Sequence, residues 1–185
     1  MSKKIALIGS GNAFFKDEGI GLYGAKYLKE NYTFSPEVEI VDGGTLGFKL
    51  MPLLQEFDEV IIINTASDER KKAGEISIKT TDEFLDGALV KKTANEVEIA
   101  EMLQICSMAQ QVANTTVISI VPEDILSVEM ALSHELRECW QSYIDVVLKE
   151  LKKLGINFIK KSEELSLDDI LSIFENPSIE YNRGF

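Results

Sequence analysis

Apolar positions along this chain change their period several times, and the changes mark its elements. Lys4–Ile8, with Ile5, Ala6, Leu7 and Ile8 an unbroken apolar run that stops at Gly9-Ser10-Gly11, has the pattern of a strand buried on both faces. From Gly19 the spacing turns helical, with Ile20, Tyr23, Gly24, Tyr27 and Leu28 on one stripe. Tyr32–Pro36 reads as a connection, and Val38–Val41 as a second strand stopped by Asp42-Gly43-Gly44. Leu46, Leu50, Leu53, Leu54 and Phe57 predict a second helix, one that Pro52 should kink or shorten. Val60–Ile63 is another continuous run rich in β-branched residues. Strand, helix, strand, helix, strand with short turns predicts a parallel sheet, and hence a three-layer α/β fold.

The second half continues the pattern less evenly. Ser67–Lys72 is a charged loop, Glu75–Lys79 alternates as an edge strand does, and residues 81–96 predict a long loop. Ile99, Met102, Leu103, Cys106, Ala109 and Val112 give a third helix, and Thr115–Val121 a strand closed by Pro122. Leu136, Trp140, Tyr143, Val147, Leu151 and Leu154 give a long fourth helix ended by Gly155. Ser166-Leu167-Asp168-Asp169 resembles a capping box, with Ile170, Leu171 and Phe174 behind it, so a short helix and then a frayed tail from Asn176 are expected. The predicted organisation is an α/β domain over residues 1–155 and a C-terminal appendage over 156–185.

Composition narrows the function classes. Hydrophobic residues at 45% and charged residues at 27% suit a globular core, and 185 residues suit one domain. The net charge of −12 argues against nucleic acid, whose binding depends on clustered Lys and Arg. No apolar run approaches the length of a membrane span, and the start MSKKIALIGSG lacks the longer apolar region of a secretory signal, so a cytoplasmic location is expected. Cys106 and Cys139 stand apart in helical stripes, which predicts buried free thiols.

In open α/β sheets ligands sit outside the carboxyl ends of the strands. Three such ends are polar or rich in glycine: Gly9–Gly21, Asp42–Thr45 and Asn64–Asp68, with Lys92-Thr93-Ala94-Asn95-Glu96 a fourth candidate. The first is not a dinucleotide fingerprint, because the place of its third glycine is held by Phe14. It does offer Asp17-Glu18 beside a helix start. Compensation of the helix dipole, worth about 0.3–1 kcal/mol per acidic residue, explains that pair as well as a site does.

Taken in order, GSGNAFFKDEGIG, VEIVDGGTLG, EVIIINTA, KKTANEVEIAEML and ISIVPED resemble the nickel-iron hydrogenase maturation proteases over residues 4–155. The resemblance implies a twisted, mostly parallel five-stranded sheet with helices on both faces. It implies an endopeptidase that removes the C-terminal peptide of the hydrogenase large-subunit precursor after nickel insertion. It further implies that the nickel belongs to the substrate, with none bound permanently. Of the family's three metal-contacting positions, the Glu of the first loop falls on Glu18, the Asp after the third strand on Asn64, and the His of the later loop on Asn95. Asp42, Gly43, Gly44 and Thr45 match the loop implied to recognise the substrate.

Two asparagines alter that chemistry. A carboxamide oxygen is neutral and a poor ligand for nickel, and it is no general base near neutral pH. Glu96 is the best-placed stand-in among Asp17, Asp68, Glu96 and Glu98, while His134, the one histidine, reads as a surface residue. A working endopeptidase, a non-cleaving paralogue serving as assembly chaperone or checkpoint, and an unrelated small-molecule binder are the three readings.

Overall fold

A computed structural model describes residues 3–45, 47–87, 93–108 and 112–178. The strands are β1 (Ile5–Ser10), β2 (Tyr32–Ser35), β3 (Val38–Gly44), β4 (Glu59–Thr65), β5 (Ile76–Thr80), β6 (Asn114–Ile120) and β7 (Asn157–Lys160). The helices are α1 (Ile20–Asn31), α2 (Met51–Glu56), α3 (Thr81–Asp86), α4 (Ala94–Ser107), α5 (His134–Lys153) and α6 (Leu167–Glu175).

The main sheet has the order β3-β1-β4-β6-β5. Its first four strands run parallel; β5 takes the edge position that its alternating pattern predicted, and it joins β6 antiparallel. Side-chain alternation splits the core in two. Ile5, Leu7, Ile61, Ile63, Ile118 and Ile120 pack with α1, α5 and α6, while Ala6, Ile8, Val60, Ile62 and Val117 pack with α2 and α4. Helices therefore cover both faces of a mostly parallel five-stranded sheet, the predicted fold class.

Several local expectations are corrected. Tyr32–Pro36 is not mere connection: β2 pairs antiparallel with β7, and Tyr32 packs edge-on against Phe158 at 5.9 Å. Residues 81–96 are not one long loop. Thr80 accepts from the Glu83 amide and Glu83 reaches back to Thr80, a capping box that starts α3, and Thr93 with Glu96 does the same for α4. That places Asn95 in the first turn of a helix; Lys92 lies outside the described residues. The second helix begins with a 3₁₀ turn, Gly47–Leu50, and Pro52 sits in the first turn of α2, where its missing N–H costs nothing. Leu46 and Ala109 lie outside the described residues, and Val112 follows the end of α4. Cys106 is buried, but Cys139 is only half-buried.

Beyond Gly155 the predicted capping box forms, Ser166 accepting from the Asp169 amide at the start of α6. Ile156, Ile170 and Leu171 enter the core on the α1 side, and the Asn31 carboxamide bonds both the amide and the carbonyl of Leu165. The expected tail is described only to Ser178.

Candidate functional site

The carboxyl ends of β1, β4 and β6 each carry a polar side chain on one face. Ser10, Asn64 and Ser119 follow Ile8, Ile62 and Val117 by two residues, so all three turn toward the α4 side. The start of α4 lies above them. Asn95 donates to Ser10 Oγ at 3.0 Å and to the Gly44 carbonyl at 3.5 Å, and Ser10 Oγ donates to the same carbonyl at 3.2 Å. The first loop thus meets the second through Ser10 and Gly44, and Asn95 clasps both.

Glu18 reaches this edge from the 3₁₀ turn Lys16–Gly19 that leads into α1. It is 8% exposed and hydrogen-bonds to Thr93, the residue that caps α4. Burial raises its pKa above the ordinary glutamate value and outweighs the Thr93 hydrogen bond, which lowers it; the charge of Glu96 adds a smaller upward push. The folded state therefore holds this proton more tightly than the unfolded chain. Its stabilising contribution is complete below the unfolded-state pKa and is lost as pH rises through the folded-state value. Glu18→Gln should accordingly gain stability relative to the unaltered protein as pH climbs through that range, read as urea midpoints at successive pH values. A difference that stays constant with pH would count against a buried, ionising Glu18.

Asn64 is fully buried. Its Oδ1 accepts from Ser119 Oγ at 2.7 Å, and its Nδ2 has no partner. An unpaired buried donor is costly, on the order of 1–3 kcal/mol, and marks this position as one where packing alone did not choose the residue. Glu96 is fully buried too, but its carboxylate is taken up by the backbone: it accepts from the amides of Ser67 and Thr93, at 3.0 and 3.2 Å, and from Ser67 Oγ at 3.2 Å. It closes a capping box and fastens the loop after β4, a structural use that sets it apart from the stand-in ligand expected above.

The recognition loop divides. The Gly44 carbonyl takes part in the cluster and also accepts from the Gly11 amide at 2.9 Å. Gly43 packs so closely that a Cβ would lie 2.8 Å from the Gly9 carbonyl. Asp42 is exposed, its carboxylate accepting from the Gly44 amide at 3.1 Å, and Thr45 is exposed beside it. His134 is exposed and pairs with Glu138, as a surface histidine would.

Ser10, Ser119 and Thr93 escaped the sequence reading. A polar residue two places beyond a buried hydrophobe, at the carboxyl end of a central strand, was the available signal for the two serines. For Thr93 it was the Thr-x-x-Glu spacing.

A family model described as "HycI: Hydrogenase maturation protease" matches residues 23–150. Protein HydD of Wolinella succinogenes is 29% identical over 147 residues, covering 77% of this chain and 91% of that protein. The hydrogenase 2 maturation protease of Escherichia coli is 24% identical over 159 residues, covering 85% and 96%. Among solved structures, the hydrogenase maturating endopeptidase HybD from E. coli aligns with a TM-score of 0.79 at 24% identity, over 86% of this chain and 98% of that one. The [NiFe] hydrogenase maturation protease HybD from Thermococcus kodakarensis aligns at 0.66 and 21%, over 80% and 98%. The structural alignment and the family match over well more than half of the chain agree: this protein belongs to the hydrogenase maturation protease family.

Proposed function

We propose that this protein acts on the precursor of a nickel-iron hydrogenase large subunit, as an endopeptidase that removes its C-terminal peptide after nickel insertion. The observation that carries this reading is convergence. Glu18, Asn95 and the Gly44 carbonyl come from three separate segments, the 3₁₀ turn before α1, the first turn of α4 and the end of β3, and are tied into one polar edge through Thr93 and Ser10. Such an edge, at the carboxyl ends of parallel strands, is where an α/β sheet receives a ligand.

The nickel is part of the substrate, and the side chains present fit it poorly. Asn64 Oδ1 is engaged by Ser119 and the Asn95 carboxamide by Ser10 and Gly44, which leaves Glu18 as the one carboxylate among the three positions. Among the described residues no group of three His, Cys, Asp or Glu side chains is placed to hold a metal ion. The same observation favours a second reading, a non-cleaving member that grips the precursor as an assembly chaperone or checkpoint.

One experiment separates the two. The protein is incubated with nickel-loaded precursor, and loss of the C-terminal peptide is followed by mass spectrometry, with binding measured in parallel. Asn64→Asp combined with Asn95→His restores an anion and an imidazole, and should raise the cleavage rate by about tenfold or more through better metal contact. Cleavage by the unaltered protein, slower than by the double variant, is the expected result. Binding without cleavage by either form would sink the endopeptidase reading and leave the checkpoint. Binding by neither would sink both.

A further inference from the structure

Two loops beside the candidate site are joined as one unit. The Glu129 amide donates to the Phe14 carbonyl at 3.0 Å and the Lys16 amide to the Glu129 carbonyl at 2.9 Å, a parallel bridge between Phe15 and Glu129. Farther along, the Asp17 amide donates to the Asp124 carbonyl at 3.1 Å. The Asp124 side chain closes its own turn, accepting from the amides of Leu126 and Ser127 and from Ser127 Oγ. These are ordered loops, yet they hold large apolar side chains in water: Phe14 is 60% exposed, Leu126 85% and Val128 75%. With Phe15, these two loops carry four of the ten exposed large apolar side chains among the described residues. Scattered single hydrophobes on a surface need no explanation, but a group on two bonded loops marks an interaction surface.

Charge around the group is mostly acidic. Glu123, Asp124, Glu129 and Glu135 lie on the second loop and at the start of α5, against Lys16, whose ammonium is already shared between Asp124 at 3.5 Å and Glu129 at 3.6 Å. The chain as a whole carries a net charge of −12. A partner that covers this surface must bring apolar side chains and positive charge together. The surface is also continuous with the candidate site, since Phe14, Phe15 and Glu18 belong to one loop.

We infer that Phe14, Phe15, Leu126 and Val128 form a docking platform for a segment of the hydrogenase large-subunit precursor that carries both apolar and basic side chains. The inference rests on the reading that the precursor is this protein's partner. The platform holds the flanking chain while the polar edge at Glu18 and Asn95 receives the segment next to it. Apolar contact supplies the retention, and the acidic rim steers encounter and sets direction.

Phe14→Ser, Leu126→Ser and Val128→Ser are combined in the full chain; all three residues are exposed, so the variant should keep the unaltered protein's melting temperature. Binding of the purified precursor should weaken by about tenfold or more, and binding by the unaltered protein should weaken with added salt. In a second arm, a short synthetic peptide alternating leucine and lysine should bind the unaltered protein and lose that binding in the variant, while a leucine–glutamate peptide should bind neither. Equal precursor binding by both forms overturns the platform and leaves the proposed function standing. A precursor that binds neither form overturns the proposed function, and the peptide arm still decides the platform. A leucine–lysine peptide that binds neither form, or both equally, overturns it.

Discussion

Replacing Asp17 with alanine is expected to cost about 3–5 kcal/mol of folding stability, a large share of the roughly 5–15 kcal/mol that a domain possesses. The Asp17 carboxylate is fully buried and accepts three backbone hydrogen bonds, from Glu123 at 3.0 Å, Asp124 at 2.9 Å and Ser133 at 2.6 Å. Bonds to a charged acceptor contribute about 1.5–3 kcal/mol each when taken singly, and they are not additive. Alanine removes all three at once and leaves the Ser133 amide buried without its acceptor, at the cap of the longest helix. Urea unfolding reads the loss. Asp17→Asn keeps one carboxamide oxygen but no charge, and should fall between the alanine variant and the unaltered protein. A loss under about 1 kcal/mol for Asp17→Ala would mean that water replaces the carboxylate and that the clamp is not structural. Amide exchange should separately show the 122–133 loop opening more readily, because the acceptor joining it to the first loop has gone.

That clamp shows where sequence reasoning stops. Asp17 and Glu18 read as one acidic pair beside a helix start, with dipole compensation and a functional site equally able to explain them. The structure gives the two neighbours separate work. Asp17 points into the loop after β6, more than a hundred residues away in sequence, and Glu18 turns to Thr93 at the head of α4. No local pattern encodes either contact, since both depend on which strands lie side by side. The parallel sheet was legible because its signal is local: unbroken apolar runs at Ile5–Ile8 and Val60–Ile63, each bounded by turns. β2 was missed because four residues of mixed polarity, paired only with a distant β7, carry no such signal. α3 and the start of α4 were missed for a different reason. Their Thr-x-x-Glu boxes were present in the sequence, but the apolar stripe expected to accompany a helix was short in α3 and began late in α4. At the candidate site, the motifs placed Glu18, Asn95 and Gly44 on a common edge. The serines that join them came into view only when alternation along β1 and β6 could be set against a known face.

Gly21→Ala tests how tightly that edge is built, because two known effects oppose each other there. Alanine is the better helix former, by about 0.8–1 kcal/mol in a helix interior, and Gly21 is the second residue of α1. A Cβ at this place, however, would lie 2.3 Å from the Ile63 carbonyl oxygen and 2.4 Å from that of Ser10. Both atoms are backbone, so no side chain can swing away; α1 must lift from the ends of β1 and β4. Forcing extra volume into a packed core costs about 1–3 kcal/mol and sometimes more, and backbone obstacles belong at the upper end. The clash should win, with a net loss of about 2 kcal/mol in urea unfolding. Gly87→Ala is the control: at the end of α3 its φ is −86° and the nearest atom to a new Cβ is 3.7 Å away, so the change should stay within about 0.5 kcal/mol of neutral. Because the 3₁₀ turn bearing Glu18 runs directly into α1, lifting the helix also moves the carboxyl away from Thr93. The Gly21 variant should then lose precursor binding even at temperatures where it remains folded. A Gly21→Ala protein as stable as the original would show that helix propensity outweighs the contact and that α1 has room to move. One that is destabilised but binds precursor normally would show that the seat of Glu18 does not depend on how closely α1 approaches the sheet.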